Sequence, residues 1–126
     1  MLFRSSADLA QVGLGRSALM QGKTADALKA FSAATGSHDP LVAAAAKRGH
    51  AAALEDSGKP AEAAAEYAAL AASATGDAAS DDLISAARAF IAAKDAAGAK
   101  KALQSVIDMS PESSRIQDAQ RMMAGL

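Results

Sequence analysis

The sequence repeats itself with a period of 36 residues, and this feature constrains the fold more than any other. Shifting the chain by that distance places Phe31 on Tyr67 and then on Leu103. Small positions stay small and turns stay aligned in further series: Gly15, Ala51 and Ala87; Ala27, Ala63 and Ala99; Gly22, Gly58 and Lys94. An alanine-rich composition produces small-on-small matches by chance, but it does not produce the bulky series or the aligned turns. The chain is therefore expected to contain three copies of one structural unit.

The composition assigns these units to the all-α class. Hydrophobic residues make up 51% of the chain and aromatic residues only 3%, and much of the apolar content is alanine. Alanine is the best helix former, and it is too small to fill a wide core. Extended runs of the residues that favour strands are absent. The helices must therefore pack closely, small side chain against small side chain.

Glycine, proline and capping residues divide the chain into seven predicted helices. Three prolines suit the first helical turn, where the missing N–H would be unpaired in any case: Pro40, Pro60 and Pro111. Asp39 and Ser110 directly precede two of them as N-caps, and Thr24 is placed to cap a further helix. The predicted helices span residues 5–21, 24–35, 40–57, 60–74, 79–95, 97–109 and 112–124.

The order of residues within each copy resembles the tetratricopeptide repeat. That family pairs a Leu-Gly on its first helix with Ala and Phe on its second, as Leu14-Gly15 and Ala27-x-x-x-Phe31 do here. The other copies resemble it through Ala51, Leu54, Gly58, Ala63 and Tyr67, and through Leu83, Ala87, Phe90, Ala99, Leu103 and Pro111. The resemblance implies a right-handed α-solenoid of about three helix hairpins with a C-terminal capping helix, and a role in protein binding.

The resemblance covers about residues 5–111 and departs from the family pattern in places. The period is 36 residues, against about 34 in the family. The family's Trp position holds Gln11, Lys47 and Leu83, and His50 stands where Leu is usual. We predict a single domain over residues 1–126, with repeats at about 5–39, 40–75 and 76–111 and the capping helix at 112–124.

A narrower resemblance links the chain to the tetratricopeptide-like domain of the bacterial ancillary SecYEG translocon subunit family. It is carried by the short repeats, the alanine-rich second helices and the terminal segment SPESSRIQDAQRMMAGL. Members of that family typically have an N-terminal transmembrane anchor that displays the repeats in the periplasm. The expected location is cytoplasmic for the chain as written, and periplasmic or envelope-associated if such an anchor precedes it.

Charge and composition exclude several classes of function. A formal net charge of −1 provides no global field toward nucleic acid or an anionic membrane, and the few aromatic residues cannot form a base-stacking platform. Without cysteine, the chain can form neither a disulfide framework nor a thiolate metal site. No window approaches roughly 18 consecutive apolar residues. We therefore expect protein or peptide partners, with no nucleic acid and no membrane insertion by this chain.

Stacked repeats form a concave surface, and in this family the first helix of each pair lines it. By position, the resemblance predicts a partner-binding set there: Val12, Arg16, Leu19, Arg48, Ile84, Arg88 and Ile91. The same lining also contains Leu9, Met20, Ala45, Ala52, Glu55 and Asp81. The arginines would hold the carboxylates of an extended or helical peptide. Alternatively, they pair with nearby Asp and Glu on an ordinary solvated face. The family's carboxylate clamp needs asparagine, which is absent here.

Titratable residues give no sign of catalysis or metal binding. His38 and His50 are isolated and lack the partners that a metal site requires. Asp81 and Asp82 are interpreted as first-turn acids that favour the helix dipole. No nucleophile triad, phosphate-binding loop or dinucleotide fingerprint can be identified. We therefore expect neither enzymatic activity nor a cofactor.

The leading hypothesis is a non-enzymatic interaction or scaffold module that binds a protein or peptide on its concave face. The alternative is a structural subunit of a larger complex, membrane-associated or not, or a homo-oligomer that packs through its ends or convex surface. Leu2 and Phe3 are expected to fold back on the first helix, and they would otherwise form a self-association surface.

Overall fold

The computed structural model describes residues 2–109 and 114–126, with side chains from residue 6 onward in these ranges. Its helices are α1 Leu2–Met20, α2 Thr24–Ala34, α3 Pro40–Asp56, α4 Pro60–Ser73, α5 Gly76–Ala92, α6 Ala96–Met109 and α7 Ile116–Ala124. The described residues contain no strand, so the predicted all-α class of paired helices is confirmed. The expected packing of Leu2 and Phe3 and the predicted cap at Ser110 and Pro111 fall outside the described residues.

Four helices begin elsewhere than predicted: α1 begins at Leu2 rather than at residue 5, α6 begins at Ala96 rather than at residue 97, and α5 and α7 also differ. α5 begins at Gly76 rather than at residue 79, because residues 76–79 contain no proline and the helix extends upstream through two alanines. Asp77 is therefore the acid of the first turn. The interpretation of Asp81 and Asp82 as first-turn acids is wrong, since both lie one turn further along. α7 begins at Ile116 rather than at residue 112.

The structure confirms one of the two predicted helix caps in the described residues. Asp39 is confirmed as the N-cap of α3, because its carboxylate accepts a hydrogen bond of 2.9 Å from the Leu41 N–H. Thr24 does not cap α2: it lies inside the helix, whose N-cap Lys23 makes no side-chain capping bond. Asp95 is a cap that sequence reasoning missed, and its carboxylate accepts a hydrogen bond of 2.9 Å from the Gly98 N–H at the start of α6.

The turns that follow α1, α3 and α5 share one hydrogen-bonded motif, in register with the 36-residue period. Each contains a residue with positive φ: Gly22 at 74°, Gly58 at 77° and Lys94 at 61°. The next amide N–H donates to the carbonyl five residues earlier: Lys23 to Ala18, Lys59 to Leu54 and Asp95 to Phe90. This is the Schellman motif, which satisfies carbonyls at a helix C-terminus. The structure thus confirms the repeated turn seen in the sequence.

Replacing Lys94 by glycine is expected to stabilise the chain by up to about 1 kcal/mol. Lysine carries a steric cost at φ 61°, whereas glycine occupies the two equivalent turns. Urea unfolding of Lys94→Gly measures the gain. Lys94→Ala removes the same charge but keeps a Cβ, so its stability should stay near that of the parent; an equal gain in Lys94→Ala would show that the backbone is not the cause.

The chain forms two compact units, Met1–Lys59 and Pro60–Leu126, called unit 1 and unit 2 below. In unit 1, α1, α2 and α3 pack on one another. Phe31 of α2 is its largest fully buried side chain. The cluster around this ring consists mostly of small residues: Val12, Ala18, Ala27, Ala34, Val42, Ala46 and Ala53.

The two helices that flank α2 in unit 1, α1 and α3, each place a glycine against the ring of Phe31. A Cβ placed on Gly15 of α1 would lie 2.7 Å from the ring Cε1, and one placed on Gly49 of α3 would lie closer still. Both separations are far below the ordinary contact distance between carbon atoms. The ring therefore fits only because these two positions carry no side chain.

In unit 2, the positions equivalent to Phe31 and Gly15 hold side chains of different sizes. Leu103 and Ala87, the residues equivalent to Phe31 and Gly15, are both fully buried. A smaller core side chain is thus matched with a larger residue on the first helix. α7 packs on α6, with Ala119 fully buried and Ile116 and Met123 partly buried.

An ion pair ties the start of α7 to α5. The Arg115 guanidinium donates a hydrogen bond of 2.6 Å to the Asp81 carboxylate and also contacts Asp118. The bond to Asp81 raises the pKa of Arg115 above its usual value. Both partners are substantially exposed, so the pair positions α7 more than it stabilises the fold.

Candidate protein-binding face

The first helices of unit 1, α1 and α3, contact each other directly, and each carries a stripe of apolar and basic side chains. The stripes are exposed except at Arg48, which is half-buried, and at Ala45, which is partly buried against the core around Phe31. We call these residues the first-helix face of unit 1: Leu9, Arg16 and Met20 on α1, and Leu41, Ala45 and Arg48 on α3. Their spacings of three, four and seven residues place each set on one side of its helix. Met20 is 89% exposed and Leu41 is 82% exposed.

Two predicted residues of this region lie inward. Val12 is only 1% exposed and belongs to the core around Phe31, and Leu19 is partly buried against the same core. Both share the helix side that carries Gly15, which faces the ring. The apolar contacts of the face must therefore come from other residues, namely Leu9, Met20 and Leu41.

The three predicted arginines differ in their surroundings. Arg16 is exposed, and its side chain makes no hydrogen bond or ion pair with any residue in the described ranges. Arg48 is half-buried and Arg88 is exposed, and each already takes part in an interaction within the chain. Arg16 is therefore the cation of the set that is most available to a partner.

The remaining predicted residues lie on α5 of unit 2, where α7 lies close by. Ile84 is partly buried and lines a surface cavity of about 400 Å³ together with Asp118, Arg121 and Met122. Arg115 holds Asp81 one turn earlier on the same helix side. Arg88 and Ile91 are the exposed members of this group. The predicted set thus falls into two groups, one in each unit.

Sequence reasoning missed Leu41 and Gly49. Leu41 lies four residues before Ala45 and seven before Arg48, so its helical spacing could have placed it on the face. Gly49 gave no such signal, because a single glycine in an alanine-rich helix looks like any other small residue. Its importance appears only from the ring of Phe31 that packs against it.

Other chemistry is limited in the described residues. His38 is exposed between α2 and α3, and His50 is half-buried on α3. Across residues 2–109 and 114–126, no group of three or more His, Cys, Asp or Glu could hold a metal ion. No helix in those ranges has the combined length and apolarity that a membrane crossing requires.

A Schellman turn that recurs with the 36-residue period, together with small residues packed around the buried ring of Phe31, is typical of a helical repeat protein. A tetratricopeptide repeat family model matches residues 12–79, more than half of the chain, and a second model of the same description matches residues 84–113. The chain belongs to the tetratricopeptide repeat family. Neither the search of curated proteins nor that of solved structures gave a match. The narrower resemblance to the SecYEG ancillary subunits stays a prediction.

Proposed function

We propose that this chain is a non-enzymatic scaffold module that binds a protein or peptide partner on the first-helix face of unit 1. Tetratricopeptide repeats generally mediate protein–protein interaction. The observation that carries the proposal is the exposure of Met20 and Leu41 on the helices that also present Arg16. Large apolar side chains beside an available arginine are the composition that favours a binding surface.

The side chains of the first-helix face indicate which kind of peptide would bind there. Leu9, Met20 and Leu41 would cover apolar side chains of a peptide, and methionine adapts to different shapes. Arg16 would bind a carboxylate of the same peptide with charge-assisted hydrogen bonds. The partner segment would therefore combine apolar residues with Asp, Glu or a free C-terminus. We propose Arg88 and Ile91 as a separate contact patch on unit 2.

Selection from a random peptide library on the immobilised chain tests this function. The selected peptides should be enriched in apolar residues with a carboxylate nearby, and they should bind the monomeric protein. Light scattering at several concentrations establishes the oligomeric state in the same buffer. Selected peptides that are basic, or binding that requires an oligomer, would contradict the proposal.

A further inference from the structure

A second surface, separate from the first-helix face, lies on the first helix pair. α2 packs on α3 and α4 packs on α5, so each later first helix is covered by the second helix that precedes it in the chain. Among the described residues α1 packs mainly on α2 and α3, and the side of α1 that corresponds to the covered side of α5 is exposed at Leu14.

The residues on this side of α1 show that a helix contact present in unit 2 is missing in unit 1. Leu14 of α1 is 59% exposed, whereas Ala86, which stands 72 residues (two periods) later on α5, is fully buried. Leu14 lies in a groove of about 360 Å³ between α1 and α2, lined also by Gln11, Ala18, Asp26, Lys29 and Ala30. An apolar side chain that is buried in one copy of the unit and exposed in another marks an incomplete contact.

An equivalent groove exists in unit 2, and there it has a third wall. It measures about 560 Å³, and its α5 and α6 lining includes Leu83, Phe90, Gly98, Lys101 and Ala102. These five residues are the two-period counterparts of Gln11, Ala18, Asp26, Lys29 and Ala30. The third wall consists of Ala68, Ala71 and Ala72 of α4. The internal repeat therefore indicates the kind of element that would form a third wall of the groove of unit 1: a helix with a small-residue side.

The groove of unit 1 also has a charge preference. Its lining contains Lys23 and Lys29 with the single acid Asp26, and all three side chains are exposed. Where the groove of unit 2 has Leu83 and Phe90, this one has Gln11 and Ala18. The two lysines favour carboxylates along the edge of the occupant. α4 itself has this composition, since Glu62 and Glu66 are its only charged residues.

We propose that the α1–α2 groove is a docking site for a partner helix with a small-residue side and an acidic edge. The occupant packs its alanine-sized side chains on Leu14 and Ala18 of α1, as α4 packs on α5, and it lies beside Ala30 of α2. Its carboxylates pair with Lys23 and Lys29. This docking is independent of the first-helix face, because Leu14 does not belong to it.

A peptide with the sequence of residues 60–74 serves as the probe, since it carries the stated chemistry. It is titrated into the full-length, ¹⁵N-labelled chain, and binding is followed by amide chemical shifts. The expected result is dose-dependent shifts at Leu14, Ala18 and Ala30. Leu14→Glu should weaken binding roughly tenfold or more, because it places a like charge in the groove.

Ser32→Glu is the matched control. It adds the same charge to an exposed position on α2 that does not line the groove, so the peptide affinity should stay near that of the parent. Circular dichroism confirms that both variants are folded. Absence of shifts at the groove with peptide on the order of 1 mM would overturn the proposal. Concentration-dependent self-association that Leu14→Glu abolishes would also overturn it, by assigning the groove to a second copy.

Discussion

Gly49→Ala is expected to destabilise the chain by about 2 kcal/mol and to lower Tm by roughly 5–10 °C. An alanine in the interior of an exposed helix normally stabilises by up to about 1 kcal/mol relative to glycine. Here the added methyl group would enter the ring of Phe31, which is fully buried and has no room to move. Urea or thermal unfolding followed by circular dichroism measures the loss.

Two variants separate this steric cause from a general effect of losing glycine. Gly13→Ala lies two residues from Gly15 on α1, where an added Cβ meets nothing within 4 Å, so it should stabilise by roughly 0.5–1 kcal/mol. Phe31→Leu removes the ring and should make Gly49→Ala much less costly in the double variant. A Gly49→Ala protein as stable as Gly13→Ala, or an unchanged cost in the double variant, would disprove the close packing on Phe31.

Arg16→Glu is expected to weaken binding of an apolar, carboxylate-containing peptide about 10- to 100-fold. A hydrogen bond to a charged group contributes about 1.5–3 kcal/mol, and the new carboxylate would also repel that of the peptide. Because Arg16 is exposed and unpaired among the described residues, the variant should keep its helicity and its Tm. Fluorescence anisotropy with a peptide from the library selection measures the affinity.

Lys100→Glu is the charge-matched control for this experiment. It makes the same change in net charge at an exposed position of α6, a second helix that contributes nothing to the first-helix face. Its peptide affinity should match that of the parent at physiological salt, where distant charges are screened. An equal loss of affinity in both variants would show that Arg16 acts only through the overall charge of the protein.

The sequence predicts the helices and turns well because their causes are local. Asp39 before Pro40 specifies a helix start, and Gly22 and Gly58 specify the Schellman turns. The repeat aligned Lys94 with these two glycines, but the predicted helix 79–95 still included it, because no local rule marks a lysine as a turn residue. The start of α5 was misplaced because residues 76–79 contain no proline and the N-cap Thr75 makes no side-chain capping bond, so local signals do not distinguish loop from helix there.

The candidate site was less predictable, because exposure depends on packing between helices. The family positions place Val12 and Arg16 together on the lining, yet Val12 lies in the core and Arg16 is exposed. The difference arises because Gly15 faces the ring of Phe31, and this turns Val12 inward. Such a contact joins residues of two helices, and helical spacing within one helix does not reveal it.

The most direct test of the account is to map the binding surface by NMR, with a library-selected peptide titrated into the ¹⁵N-labelled chain. The account predicts that the largest amide shift changes fall on the first-helix face of unit 1, at Leu9, Arg16 and Met20 of α1 and at Leu41, Ala45 and Arg48 of α3. Shift changes confined to α2, or to α4 and α6, would contradict it.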